Sequence, residues 1–325
     1  MFALGTSFLF ALLLTSWLAS RRPPVRVLDE PNERSLHVRP VPRTGGLAVI
    51  GGIAGGWATI WFGLGWNPAL SVVALTAAIV AIVSFLDDLF GLSPVVRLIV
   101  QTAAASGLAF GLLIGAHPLI MLGVVLASVW MANLYNFMDG MDGFASGMAG
   151  IGFMFLGLAG WFSEHMMFTY VNWVISVAAL GFLSFNVPPA QIFLGDVGSV
   201  TLGFLAAAMA ILGVQWDVFP LWFPILVFLP FIADATVTLI KRIVKRERIW
   251  QAHREHYYQR LVRMGWGHGR TVSAEYLFMS MTGGSAIILL DHPDWVPGAL
   301  MAWGVALALL SAWVDWRWRR FSSAE

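Results

Sequence analysis

Long runs of apolar residues, separated by short polar segments, recur along almost the entire chain. Each run is close to the 17 to 22 or so residues that an α-helix needs to cross a bilayer. They lie at residues 2–19, 46–65, 69–86, 95–114, 118–134, 144–162, 169–186, 199–215, 219–239, 273–290 and 296–313. The pattern predicts an all-α, polytopic integral membrane protein with about 11 transmembrane helices.

The chain shows neither an internal repeat nor a separate soluble domain, so residues 1–325 are interpreted as one integral membrane domain. The first apolar run has no basic region before it and no evident small-residue cleavage site. We therefore expect a retained span there rather than a signal peptide.

Composition supports the membrane interpretation. The chain is 58% hydrophobic and only 11% charged, whereas about a quarter of the residues in soluble domains are charged. It has no cysteine, which excludes disulfides, thiolate metal sites and cysteine nucleophiles. Nothing in the pattern calls for a nucleic-acid partner.

The positions of the basic residues predict the orientation. With eleven spans, all 19 Lys and Arg residues fall on one side of the bilayer. The positive-inside rule then places the N-terminus outside and the C-terminus in the cytoplasm. The predicted cytoplasmic loops cover about residues 20–45, 87–95, 134–143, 187–198 and 240–272.

The acidic residues gather at the same predicted side. Carboxylates in or near a membrane are costly and are usually functional. A structural role could explain any one of them, but it explains poorly their convergence from at least four helix ends. The converging residues are Asp87, Asp88, Asp139, Asp142, Asp196 and Asp234. On the other side we expect only solvated loop charges, at Glu164, Asp217, Asp291 and Asp294.

The segment from Asn133 to Gly143 concentrates the candidate chemistry. Asn133 and Asn136 are three residues apart and can share a helix face that Asp139 continues, before two Asp-Gly steps end the helix. Hard oxygen ligands at the end of an apolar helix favour Mg²⁺ and phosphate. The alternative is a polar helix end capped by turns.

Two further acidic sites flank predicted helix ends. Asp87 and Asp88 repel each other, so both stay ionised only with a cation or arginine nearby, and Arg97 follows one turn into the next helix. Ser93-Pro94 predicts an N-cap with proline at the first helical position. Asp196 is predicted at a helix N-terminus, where a carboxylate is favoured and where backbone N–H groups can also bind phosphate; it could also act only as a cap.

Basic segments supply candidate phosphate ligands. Arg39 and Arg43 lie between prolines and suit an anionic lipid or a phosphate, or they only determine topology. A helix through residues 253–260 would place His253, His256 and Arg260 on one face, for phosphate contacts rather than zinc. For the cluster from Lys241 to Arg248, we expect a role in topology and in anionic lipid binding.

In their order and wording, these motifs resemble those of the polyprenyl-phosphate N-acetylhexosamine-1-phosphate transferase superfamily, glycosyltransferase family 4. The resemblance runs from His37 to Leu261. Its carriers are the Pro-x-Pro-Arg-x-Gly-Gly segment at 40–46, Asp87-Asp88, Asn133-x-x-Asn136-x-x-Asp139-Gly-x-Asp142-Gly143, Pro189-Ala190-x-Ile-Phe-x-Gly-Asp196-x-Gly-Ser199 and His253-x-x-His256. The pattern is closest to bacterial undecaprenyl-phosphate GlcNAc-1-phosphate transferases that initiate O-antigen or other surface polysaccharides. Residues 253–261 depart from the usual histidine motif, which leaves the sugar open.

The resemblance implies a multi-pass enzyme of the bacterial inner membrane whose active site faces the cytoplasm. It would transfer N-acetylhexosamine 1-phosphate from a UDP-sugar, such as UDP-GlcNAc, to undecaprenyl phosphate and release UMP. Mg²⁺ would be the cofactor, with Mn²⁺ as an alternative, and membrane lipid would surround a monomer or homodimer.

The resemblance also implies residue roles. Asn136 and Asp196 would bind the metal, with Asp139 supporting them. Asp87 would activate or position the lipid phosphate, and Asp88 would assist. The uracil would contact Asp142, Asn186 and Phe193. The pyrophosphate or sugar would contact His253, Arg254 and His256, and Arg43 and Arg97 are further candidates for phosphate contacts.

Three alternatives remain at this level. A phospho-N-acetylmuramoyl-pentapeptide-type transferase would share the reaction but usually has Thr-Pro-Thr-Met-Gly-Gly in place of residues 40–46. A secondary transporter of an anionic solute would have membrane acids near the midplane and paired repeats. An envelope scaffold protein would not need clustered aspartates beside amides.

Overall fold

The computed structural model describes residues 2–20, 27–30, 40–247 and 254–323, and regular structure in these ranges is almost entirely helical. The α-helices are α1 (Phe2–Leu18), α2 (Gly45–Leu64), α3 (Pro68–Phe90), α4 (Pro94–Leu112), α5 (Pro118–Met138), α6 (Phe144–Phe162), α7 (Met166–Asn186), α8 (Gly195–Gln215), α9 (Trp222–Val227), α10 (Leu229–Val244), α11 (Tyr257–Leu261), α12 (Gly267–Leu290) and α13 (Val296–Ser322). A π-helical turn, Val262–Trp266, joins α11 to α12, and a 3-10 turn, Pro293–Trp295, precedes α13. One short antiparallel pair joins β1 (Leu28–Asp29) to β2 (Val41–Pro42).

The all-α membrane prediction is confirmed. Within the described ranges, nine helical segments are long and apolar enough to cross a membrane, so this is a multi-pass membrane protein. Two predicted runs fall outside these nine. The run at 2–19 forms a shorter apolar helix of 17 residues, and the run at 219–239 is divided between α9 and α10. The count of eleven spans and their orientation stay predictions.

A proline explains the break between α9 and α10. Pro230 has no N–H to donate to the carbonyl of Leu226, and its ring clashes with that carbonyl in a continuous helix. Accordingly, α9 ends at Val227 and α10 begins at Leu229. Pro230 instead occupies the first turn of α10, where the missing N–H costs little.

Three consecutive helices begin with the same device. Proline opens α3, α4 and α5, and the residue before it caps each helix. The Asn67 side chain accepts from the N–H of Ala69 at 2.8 Å. Ser93 accepts from Val96 at 3.4 Å, which confirms the cap predicted at Ser93-Pro94. Because side chains satisfy these exposed donors, the helices begin where the sequence predicts.

The central helix is α8, which packs against α2, α3 and α5 and is buried on nearly all sides. Glycines allow its neighbours to approach closely. A Cβ on Gly46 would lie 2.3 Å from the backbone nitrogen of Gly198, and a Cβ on Gly203 would lie 2.3 Å from the carbonyl oxygen of Met131. The first turns of α8 are therefore fixed against α2 and α5.

The segment before α2 is joined to the segment before α8 by backbone hydrogen bonds. The N–H of Phe193 donates to the carbonyl of Pro42 at 2.7 Å, and the N–H groups of Gly45 and Gly46 donate to Phe193 and Leu194 at 2.9 and 2.7 Å. The Pro-x-Pro-Arg-x-Gly-Gly segment thus holds the entry to α8 in place.

Candidate active site

Asp87 lies at the end of α3 and is fixed by two donors. One carboxylate oxygen accepts from the backbone N–H of Leu92 at 2.6 Å, and the other lies 2.9 Å from Nη1 of Arg97 on α4. The Asp87 side chain is only 8% exposed. The arginine that the sequence predicts near Asp87 is therefore in place.

Arg97 also contacts the third helix of the site. Its Nη1 lies 3.3 Å from Oδ2 of Asp196, in the first turn of α8. One guanidinium therefore bridges Asp87 and Asp196, residues 109 positions apart in the chain. The guanidinium of such a centre is suited to bind a phosphate, and its carboxylates are suited to bind a metal ion.

Asp88 faces the start of α8 rather than the Asp87 carboxylate. Its two oxygens accept from the backbone N–H groups of Asp196 and Val197, at 3.3 and 3.0 Å. Arg43 donates a hydrogen bond to the backbone carbonyl of Asp88 at 2.9 Å, and Nε of Arg43 lies 3.8 Å from Oδ1 of Asp88. A carboxylate from α3 thus caps α8, and this contact positions Asp196.

The end of α5 completes the group. Ser199 on α8 donates to Oδ1 of Asn136 at 3.0 Å. Asp139 follows the last residue of α5, as the two predicted Asp-Gly breaks require. Burial raises the pKa of Asp139 well above its ordinary value, and the negative charges of Asp196 and Asp88 raise it further. Both effects favour the protonated form of Asp139.

These side chains meet around a cavity of about 100 Å³. Asp87, Arg97, Asn136 and Asp196 contribute polar atoms to its wall. Apolar residues also line the cavity, including Leu98 on α4, which is 52% exposed. The cavity therefore joins a polar centre at the helix ends to an apolar surface of the helices.

The donor set fits Mg²⁺ but does not form a complete protein cage. Within the described ranges, no group of three or more His, Cys, Asp or Glu side chains is close enough to hold a metal. Mg²⁺ usually takes one or two carboxylates and fills its remaining positions with water and substrate phosphates. The Asp196 carboxylate and the Asn136 amide oxygen, with Asp139 nearby, would supply a partial set of Mg²⁺ ligands of this kind.

The predicted nucleotide residues lie on the side of α6 and α7. Oδ2 of Asp142 accepts from the N–H of Ala190 at 3.1 Å. Asn186 is buried, and Oδ1 accepts from the Gly143 N–H at 3.0 Å and from the Ser146 hydroxyl at 2.9 Å. Its amide also donates to the carbonyl of Ile192 at 2.9 Å. Asn186 thus fixes the turn, and its contact with a base stays a prediction.

Sequence comparisons with known proteins include the residues of this site. Residues 70–214, which include Asp87, Asn136 and Asp196, match the family model described as glycosyl transferase family 4. This central part of the chain is therefore similar to glycosyl transferase family 4.

Several known proteins align with most of the chain. It is 28% identical to a "Probable undecaprenyl-phosphate N-acetylglucosaminyl 1-phosphate transferase" of Bacillus subtilis (strain 168), covering 89% of this chain and 85% of the relative. It is 29% identical to a "Decaprenyl-phosphate N-acetylglucosaminephosphotransferase" of Mycobacterium tuberculosis (strain ATCC 25618 / H37Rv), covering 87% and 83%. An "Undecaprenyl-phosphate alpha-N-acetylglucosaminyl 1-phosphate transferase" of Escherichia coli (strain K12) is 23% identical, covering 90% and 84%.

The predicted helix through residues 253–260 is wrong for its first half. His253 lies outside the described residues, residues 254–256 are not helical, and α11 begins only at Tyr257. Asp234 on α10 explains this start, because its carboxylate accepts from the N–H groups of Tyr257 and Tyr258, each at 3.0 Å. The same carboxylate lies 3.1 Å from Nδ1 of His256. Asp234, which had no predicted role, caps α11 and orients His256.

The remaining predicted ligands divide between two places. The His256 ring stacks on Phe137, beside the end of α5, and Tyr258 donates to the Phe137 carbonyl at 3.2 Å. Arg254 instead lines a different cavity, between α10 and α13. Asn133, also without a predicted role, donates to Gln101 at 2.6 Å and ties α5 to α4.

Sequence reasoning missed His268, which lies beside Asp142 in this site. Its Nδ1 lies 3.2 Å from Oδ2 of Asp142 and 3.4 Å from the Asp142 backbone N–H. The sequence feature that could have indicated His268 is the pair Gly265 and Gly267. In the structure both have positive φ angles, 93° and 68°, and they turn the chain just before His268. Two glycines flanking one residue indicate such a turn, and a polar residue directly after it merits attention.

Proposed function

We propose that this protein is a member of glycosyl transferase family 4 and transfers N-acetylhexosamine 1-phosphate from a UDP-N-acetylhexosamine, most simply UDP-GlcNAc, to undecaprenyl phosphate and releases UMP. The main supporting observation is that Arg97 pairs with both Asp87 and Asp196, and that these three residues line one cavity together with apolar residues. Such a cavity can receive a phosphate whose hydrocarbon chain stays in the membrane. The names of the relatives support the same reaction.

The chemical problem is electrostatic repulsion. A phosphate oxygen of the lipid attacks the β-phosphorus of the UDP-sugar, the bond from that phosphorus to the α–β bridging oxygen breaks, and UMP leaves. Both reactants are anions, so positive groups must offset their repulsion while the new bond forms. Arg97 is suited to this because its guanidinium lies between Asp87 and Asp196 and lines the cavity.

Asp87 is proposed to position the lipid phosphate rather than to remove a full proton. The second pKa of a phosphate monoester is about 6, so little deprotonation is needed near neutral pH. Asp87 is held by the Leu92 N–H and by Arg97. Asp87 thereby fixes the guanidinium of Arg97, and this guanidinium would bind the lipid phosphate.

Asp196 and Asn136 are proposed to hold Mg²⁺, supported by Asp139; when bound, the ion would neutralise charge on the transferred phosphates. Asp88 keeps Asp196 in place through the first turn of α8. On the other side of the α5 turn, Asp142 and Phe193 are proposed to receive the uracil. His256, fixed by Asp234, is proposed to face the pyrophosphate or the sugar.

The orientation follows from where the site lies and from the charges. We propose that the ends of α3 and α5 and the start of α8 face the cytoplasm, where nucleotide sugars are found, in a bacterial inner membrane. The predicted topology of eleven spans supports this orientation, because it places all 19 basic residues on this side. A transporter would need such groups near the middle of the spans, whereas Asp87 and Asp88 occupy the last turn of α3.

A panel of UDP-sugars tests the proposal. Purified protein would be incubated with undecaprenyl phosphate, Mg²⁺ and one donor at a time, and UMP and UDP would be quantified. We expect UMP from UDP-GlcNAc or from another UDP-N-acetylhexosamine, only when the lipid is present. UMP only from UDP-N-acetylmuramoyl-pentapeptide would favour the pentapeptide branch, and release of UDP would contradict phosphosugar transfer.

A further inference from the structure

A second cavity, of about 550 Å³, lies between α10, α11 and α13. It is separate in its lining residues from the cavity of Asp87. Basic side chains dominate its wall: Lys241, Lys245, Arg254, Arg260, Arg263 and Arg319. Only two acids, Glu255 and Asp315, belong to the same lining, so its formal charge is +4.

Internal ion pairs occupy two of these basic side chains. Asp315 on α13 lies 2.5 Å from Nζ of Lys241 and 2.9 Å from Nη1 of Arg260. Arg263 lies over the ring of Trp318, 4.7 Å from its centroid. Within the described part of the chain, neither Arg263 nor Arg319 forms an ion pair with a carboxylate. Both residues are exposed and line the cavity, where an external anion can reach their guanidinium groups.

Apolar side chains of the same wall indicate the rest of the ligand. Ile240 and Val244 line the cavity and are 53% and 77% exposed. Nearby on α13, Leu309 and Leu310 are also exposed, as expected of a helix that faces lipid. A soluble phosphate would leave these apolar side chains uncovered, whereas the acyl chain of a lipid would pack against them and bury their surface.

We propose that this cavity binds the headgroup of an anionic glycerophospholipid. The phosphodiester lies between Arg263 and Arg319, and the acyl chains extend along Ile240 and Val244. Arginine forms paired hydrogen bonds to phosphate oxygens, and basic pockets between membrane helices are suited to such headgroups.

The position of α11 gives the binding a consequence. One end of α11 is tied to α13 through Arg260 and Asp315, at the cavity. At its start, His256 and Tyr258 contact Phe137 beside the candidate active site. A lipid between α11 and α13 would stabilise this arrangement.

The test titrates phosphatidylglycerol into the detergent-solubilised full chain and measures lipid-bound fractions by native mass spectrometry. We compare the wild type with R263Q/R319Q and with the matched control R317Q/R320Q. Arg317 and Arg320 contact Trp313 and Trp316 and do not line the cavity. Each basic residue near a membrane surface contributes about a fivefold effect on affinity, so the cavity variant should bind about 25-fold more weakly and the control nearly as the wild type.

Further arms keep the result decisive. Arg319 is exposed on the helix surface, so Arg319→Gln alone should fold normally and bind about fivefold more weakly. Equal binding by the wild type, R319Q and R263Q/R319Q would overturn the proposal. So would inorganic phosphate displacing phosphatidylglycerol at equal concentration, because the ligand would then be a soluble anion. The readout is binding, so it does not depend on the proposed reaction.

Discussion

The carboxylate of Asp88, in the last turn of α3, accepts the backbone N–H of Asp196, in the first turn of α8, at 3.3 Å. The same carboxylate accepts the N–H of Val197 at 3.0 Å. A carboxylate at a helix N-terminus satisfies exposed donors and interacts favourably with the helix dipole. One acid thus positions another that we assign to the metal.

This contact predicts different effects for two substitutions at one position. Asp88→Ala removes both acceptors and should cost about 0.5 to 2 kcal/mol of stability, the usual value of a helix cap. Asp88→Asn keeps one acceptor and should unfold at an intermediate temperature. Thermal unfolding in detergent and UMP release would be measured together. Wild-type stability in both variants with lost turnover would mean that Asp88 acts on substrate instead.

Removing charge at Asp87 or Asp196 should stop the reaction without unfolding the protein. Asp87→Asn weakens the hold on Arg97, and Asp196→Asn removes a proposed metal ligand, so each should lower turnover by about 100-fold or more. Asp291→Asn and Asp294→Asn are matched controls, because these acids lie near the opposite ends of the helices. Near-normal turnover in the first pair would refute the assignment, and strong loss in the controls would place the site at the wrong end.

Metal dependence should vary with pH because of Asp139. Its pKa is raised by burial and by neighbouring carboxylates, so the metal-free protein loses stability as the pH rises from the unfolded-state pKa towards the raised folded-state pKa. A divalent cation binds the ionised form and offsets this loss. The increase in unfolding temperature caused by Mg²⁺ should therefore be larger at about pH 8 than at about pH 6.

Asp139→Asn is the control for this prediction, since it removes one titrating carboxylate and should reduce the dependence of the Mg²⁺ effect on pH. EDTA should stop turnover, with Mg²⁺ or Mn²⁺ restoring it. An equal Mg²⁺ effect at both pH values in the wild type would show that Asp139 does not take part.

His268 should act as a positioning residue for Asp142. His268→Ala removes the group 3.2 Å from the Asp142 carboxylate, so the KM for the UDP-sugar should rise several-fold while the KM for the lipid stays unchanged. His268→Gln, which can still donate a hydrogen bond, should recover part of the loss. The control is His165→Ala, since His165 precedes α7 at the end remote from Asn186. Equal changes in both KM values would instead indicate a general structural role.

Most helices were predictable because local features determine them. Apolar runs of membrane length locate the spans, and Asn67-Pro68 and Ser93-Pro94 set the starts of α3 and α4. The break before α10 could also have been read from Pro230. The convergence of Asp87, Arg97 and Asp196 was predicted from the alternation of loops across the membrane, although not their hydrogen bonds.

What the sequence did not reveal depends on contacts between distant residues. The start of α11 at Tyr257 is determined by Asp234, a carboxylate more than twenty positions earlier. Asp88 and Asp87 are adjacent and chemically identical, yet one caps α8 and the other binds Arg97. Only the packing of α3 against α8 and α4 distinguishes them, and periodicity carries no information on such pairings.

The central claim is that a phosphate moves with the sugar. UDP-GlcNAc labelled with ³²P only at the β-phosphate, incubated with the protein, Mg²⁺ and undecaprenyl phosphate, tests it most directly. If the proposal is correct, the label appears in the lipid fraction as a pyrophosphate-linked sugar and unlabelled UMP accumulates, and Asp196→Asn abolishes both. Label that stays in water-soluble UDP while sugar enters the lipid would contradict the account.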